Sequence, residues 1–102
     1  MSHPRRSLDP VIHSPVRFSI VAALSGVDQS DFASLRDTIE VSDSTLSKQI
    51  TILEDAGYLL IRKTFVGRRP RTYLTLTAEG HKAFGLHLRA LREIVENSQP
   101  SA

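Results

Sequence analysis

The chain contains no cysteine, which excludes disulfides, thiolate metal sites and thiol redox sensing and fits a reducing cytosol. It has no long apolar run, and its basic opening, MSHPRRSLDP, is not followed by an apolar stretch. Neither a membrane span nor a secretory signal is expected, and the expected location is cytoplasmic. There is no Gly-rich phosphate loop and no HxxxH or paired-carboxylate motif, and His3, His13, His81 and His87 are scattered. No metal, no cofactor and no enzymatic activity are therefore expected. A large charge excess is also missing: the formal net charge is +2, so any case for a nucleic-acid partner rests on where the charge sits.

Its placement is uneven. Residues 61–72 hold Arg62, Lys63, Arg68, Arg69 and Arg71 without an acid, whereas residues 28–43 hold five acids against Arg36 alone. With 102 residues and 40% hydrophobic content, the chain suits one domain with its own core. Both ends are polar and contain proline. They predict a flexible arm over residues 1–10, a folded unit over 11–96 and a flexible tail over 97–102.

Four helices are predicted. The first opens at Ser14-Pro15, a cap followed by a proline suited to the first turn, and stops at Gly26. Val16, Ile20, Ala23 and Leu24 form one apolar stripe, and Phe18 and Val21 lie on another side. A short second helix fits Phe32, Leu35 and Ile39, with Ser30 as cap. The third, from Ser42 to Gly57, buries Leu46, Ile50 and Leu53 and turns out a small polar face of Ser44, Thr45, Ser47, Lys48 and Thr51. YLLIRKTF and TYLTLT then read as two antiparallel strands joined by VGRRPR, with Leu74 and Leu76 facing in. Thr77 caps the last helix, which carries two apolar stripes, Phe84-Leu88-Leu91-Val95 and Ala83-Leu86-Ala90-Ile94.

The order α-α-α-β-β-α, mainly helical with a small β-hairpin (α+β), is that of a winged helix-turn-helix. In that arrangement the third helix enters a DNA major groove and the hairpin, or wing, reaches the adjoining backbone or minor groove. Ser44, Thr45, Ser47 and Thr51 are short enough for close approach to base edges. Lys48, Lys63, Arg68, Arg69 and Arg71 can neutralise phosphates, Thr72 flanks them, and Ser42 with the helix N-terminus can hold another phosphate. Arg5 and Arg6 could add an arm contact. Phe18 and Val21, with Leu86, Ala90 and Ile94, are the expected dimer interface, since two half-sites on DNA require a symmetric pair.

The segments Asp43 to Lys48, Leu53 to Tyr58, Gly67 to Thr72 and Leu76 to Gly80 together resemble the single-domain winged-helix regulators related to the MarR and ArsR families. The likeness spans about residues 11–96. It implies a cytoplasmic homodimer that binds palindromic operator DNA, usually as a repressor. Two positions depart from the pattern: the turn IEVS lacks the usual Gly, and Gln49 stands where His is common. Larger relatives hold a small-molecule effector between helices, and this length leaves little room for a separate effector domain. The alternative is a winged-helix docking module without DNA contact, which has no need of an acid-free cluster of cations.

Overall fold

The stripe Leu46, Ile50 and Leu53 recurs at i, i+4 and i+7, so one side of the third helix must find an apolar partner. In the computed structural model, which describes residues 2–98, that partner is the core formed by the first helix and the inner face of a small sheet. The elements run α1 (Pro15–Ser25), β1 (Ser30–Asp31), α2 (Phe32–Ile39), α3 (Asp43–Asp55), β2 (Leu59–Val66), β3 (Arg69–Leu76) and α4 (Ala78–Asn97), after a short 3-10 helix at Pro4–Ser7. The three-stranded antiparallel sheet has the order β1-β3-β2. The expected α+β winged-helix order is present, with β1 added. Ser30 pairs with Leu74 and Asp31 with Tyr73. Two residues are too few to give a strand periodicity, so β1 had no signature in sequence.

Leu46, Ile50 and Leu53 of α3 share one core with Ile20, Val21 and Leu24 of α1, Leu35 of α2, and Leu59, Leu74 and Leu76 of the sheet. Burial of each such side chain contributes about 1.5–3 kcal/mol. Helix starts follow their caps. Asp31, rather than Ser30, caps α2 by accepting from the Ser34 amide. Thr77 accepts from the Gly80 amide at 2.9 Å and donates to the Gly57 carbonyl at 2.7 Å. Ser14 occupies the N-cap position of α1 without a side-chain cap bond, and Pro15 opens that helix.

Three expectations are corrected. Val21 and Ala90 are fully buried within the single chain, so neither is free to form a dimer interface. His87 is also fully buried, although its position between the two apolar stripes of α4 gave it no role. Residues within the supposed arm are anchored: the Asp9 amide donates to His87 Nδ1 at 3.0 Å, and the Asp9 carboxylate accepts from the Tyr58 hydroxyl at 2.5 Å. The 3-10 helix beside it packs on α4. At the other end α4 runs through Asn97, so the proposed tail begins one residue too early; residues 99–102 lie outside the described part.

Asp9 thus joins three parts of the chain. Its Oδ1 also accepts from the Val11 amide at 2.8 Å, and its hydrogen bond with Tyr58, aided by burial, pushes the phenol up to about 12. Burial, and secondarily the nearby His13, lowers the pKa of His87, while the Asp9 carboxylate opposes the shift. Neutral His87 accepts the Asp9 amide through Nδ1, and protonation of that nitrogen breaks the bond. The unfolded chain therefore binds a proton more readily than the native one, and stability falls as pH drops below about 6.5 toward the lowered native value. Thermal melts from about pH 7 to about pH 5 are expected to show a falling Tm whose slope flattens in His87→Gln. An identical slope in the variant would contradict the assignment.

Candidate nucleic-acid interface

With its apolar stripe buried, α3 turns Ser44, Ser47, Lys48 and Thr51 to solvent. Ser42 caps the helix: its Oγ accepts from the Thr45 amide at 3.1 Å and donates to Thr45 Oγ1 at 3.0 Å. Thr51 donates back to the Ser47 carbonyl at 2.9 Å. The acid nearest this end, Asp43, is paired with Arg36 of α2 at 2.8 Å, so the face is screened from its charge. Gln49 points elsewhere: its side chain accepts from Arg17 of α1 at 2.7 Å. The residue that replaces the usual His therefore braces α3 against α1. The turn without glycine is made by Glu40, which takes a left-handed conformation, φ 57°, at a cost of about 1–2 kcal/mol.

The hairpin is longer and tighter than VGRRPR suggests. Val66 pairs with Arg69, leaving Gly67 and Arg68 as a two-residue turn. Gly67 has φ 65°, a conformation that favours glycine, and Arg68 is not in that region, as in a II′ hairpin turn. Arg69, Pro70 and Arg71 are strand residues, not turn residues. Pro70 faces Phe65, one pair beyond the turn, where a two-residue hairpin has no cross-strand bond to lose.

This register sorts the cations by face, because successive side chains alternate. Leu59, Ile61, Lys63 and Phe65 share one side of the hairpin with Leu76, Leu74, Thr72 and Pro70. On this side Ser47, Ile50 and Thr51 of α3 and Phe32 of α2 join Ile61, Lys63 and Thr72 around a shallow groove of about 360 Å³. Four of the expected contact residues, Ser47, Thr51, Lys63 and Thr72, are thereby brought together. Arg69 and Arg71 lie on the opposite side with Arg62. There Arg62 covers the Tyr73 ring at 4.8 Å. Nearby, Asp31 is held below the usual carboxylate range, first by the Ser34 hydroxyl and also by the charge of Arg71. Arg68 alone occupies the tip. Phe65 is not among the expected contacts; a two-residue turn placed at Gly67-Arg68 sets the alternation that puts it on the groove side of the hairpin, with Arg62 on the other.

Residues 16–95 match the family described as winged helix DNA-binding domain. The chain belongs to that family. It is a family of DNA-binding domains rather than of enzymes, in line with the absent catalytic motifs. The chain is 25% identical over 87 residues to the uncharacterised protein MJ0432 of Methanocaldococcus jannaschii, a match that covers 85% of this chain and 95% of the relative. Its fold superposes on a transcriptional regulator homologue from Pyrococcus horikoshii with a TM-score of 0.87 at 21% identity, covering 98% and 100% of the two chains. The MarR family regulator Sco3205 of Streptomyces coelicolor, solved in complex with DNA, gives a TM-score of 0.67 at 18% identity and coverages of 95% and 67%. The winged-helix fold is thus MarR-like. Among the described residues no helix is long and apolar enough to cross a membrane, and no group of three or more His, Asp or Glu side chains could hold a metal ion.

Within this winged helix Ser42 has a structural task that its exposure conceals. Replacing it with Ala removes the cap of α3 and is expected to lower the unfolding free energy by about 1 kcal/mol. Denaturant titration measures this without DNA, and an unchanged midpoint would show that the cap bond contributes nothing.

Proposed function

We propose that this chain is a sequence-specific, double-stranded DNA-binding transcriptional regulator acting as a homodimer, most simply as a repressor that occupies a palindromic operator in the cytoplasm. The observation that carries the reading is the groove that joins the small polar face of α3 to a hairpin whose sequence from Ile61 to Thr72 carries five cations and no acid. Ser44, Ser47, Lys48 and Thr51 meet base edges and phosphates in the major groove. Ser42 and Thr45 hold the helix end whose free amides attract a phosphate. The wing enters tip first, so that Lys63 on one side and Arg69 and Arg71 on the other reach the two strands that border a minor groove, with Arg68 between them.

With Val21 and Ala90 buried, the dimer surface is reassigned to what remains exposed or half-buried on α4 and the start of α1: Phe18, Leu86, Leu88, Leu91, Ile94 and Val95. An α4 of 20 residues is about 30 Å long, enough for a self-complementary contact along its length. Arg5 and Arg6 belong to the segment held on α4, away from the α3 groove, so the proposed arm contact with DNA is withdrawn. A docking module without DNA would leave the acid-free cation cluster without a purpose.

The test is the salt dependence of binding. The Arg68→Ala/Arg69→Ala double variant is expected to weaken binding to all duplexes and to flatten the slope of log K against log salt by about 0.9 for each phosphate no longer neutralised. Both side chains are exposed, so the fold is retained. Operator binding with the wild-type slope would remove the wing from the interface.

A further inference from the structure

Among the cations of the wing, Phe65 is the most exposed of the large apolar side chains, ahead of Val66 at 49%. Phe65 is 70% exposed, against 61% for Leu60 and Val95. Along its side of the hairpin, Leu59 is buried, Ile61 is half-buried, and Lys63 and Phe65 are open to solvent. Contact with the core therefore ends at Ile61, and Phe65 supports nothing beneath it. Across the ladder it faces Pro70, another exposed apolar ring. The pair sits one step from the Gly67-Arg68 turn, on the side that continues the groove shared with α3. A solvated β-ribbon has no need of an aromatic ring at such a position.

The surroundings select the occupant. Lys63, Arg68, Arg69 and Arg71 lie within six residues of Phe65 with no acid among them, so a second copy of the same wing is repelled. The partner must be polyanionic and must also offer apolar surface. A DNA minor groove satisfies both demands, with phosphates along its rims and deoxyribose and base edges in its floor. Apolar side chains that enter a minor groove from such a basic element part adjacent base pairs and kink the duplex.

Resting on the DNA-binding reading above, the geometry points to Phe65, backed by Pro70, as a minor-groove wedge at the tip of the wing. The ring enters at one base step while Arg68 and the flanking cations hold the phosphates. Specificity follows without a hydrogen bond to any base, because pyrimidine–purine steps unstack and kink more readily than A-tracts. The wing thereby adds a sequence preference, set by deformability, outside the bases read by α3.

The experiment uses the full chain and a duplex that the wild-type protein itself enriches from a random-sequence pool, with a donor and an acceptor fluorophore at its ends. Phe65→Ala is expected to lower affinity about tenfold, to leave the salt slope unchanged because no charge is removed, and to reduce the bend seen by energy transfer. Replacing the pyrimidine–purine step under the wing with an A-tract is expected to weaken the wild type but not Phe65→Ala. Leu60→Ala, exposed on the opposite side at the root of the hairpin, keeps wild-type affinity and bend. Melting curves of both variants confirm the fold, since both side chains are exposed. Wild-type affinity and bend in Phe65→Ala, with a flattened salt slope in the arginine variant, overturn the wedge and leave DNA binding intact. Absence of salt-dependent binding by the wild type overturns both.

Discussion

The burial of Leu46, Ile50 and Leu53 in the core that α3 shares with α1 and β2 is the contact on which the functional surface depends. It fixes the rotation of α3, and with it which side chains face outward. It also fixes the root of the hairpin, since Leu59 and Leu74 belong to the same core. Ser47 and Thr51 on the helix and Lys63 and Thr72 on the strands are neighbours for that reason alone. None of the four is held by a strong interaction of its own.

The second constraint acts at the other end of the molecule. Asp9 ties the N-terminal segment to His87 of α4 and to Tyr58 at the root of β2, while Arg17 of α1 ties to Gln49 of α3. Long-range polar bonds therefore brace the helices from behind, while the outward side chains of α3 keep local bonds, such as the Ser42 cap and the Thr51 back-bond. Side chains with only local partners can re-pair with bases and phosphates without breaking a tertiary contact. Arg36 suits the same arrangement, because its bond to Asp43 screens the one acid at the tip of the proposed reading helix.

Much of this is legible in the sequence where one period and one partner suffice. The Leu46-Ile50-Leu53 stripe, the alternation at Leu74 and Leu76 and the caps at Ser42 and Thr77 all need only local rules. The rest requires knowledge of what covers each face. Two apolar stripes on a helix suggest a partner for Val21 and Ala90, yet the chain covers both itself. His87 escapes notice because a buried neutral histidine leaves no motif. Asp9 reads as part of a loose arm because a 3-10 helix and a run of Asp9 hydrogen bonds have no hydrophobic period. Arg69, Pro70 and Arg71 read as turn because proline and glycine punctuate alike; only the Val66-Arg69 pairing separates the two-residue turn from the strand that follows.

The most direct test of the central claim, that two copies of this chain present α3 and the wing as one DNA-reading unit, is selection of bound duplexes from fragmented source DNA at defined salt. The account predicts an enriched inverted repeat whose half-site centres lie roughly 34–36 Å apart, one turn of DNA, or a multiple of that spacing. Recovery of no common sequence would contradict it, as would a single asymmetric site occupied by one copy.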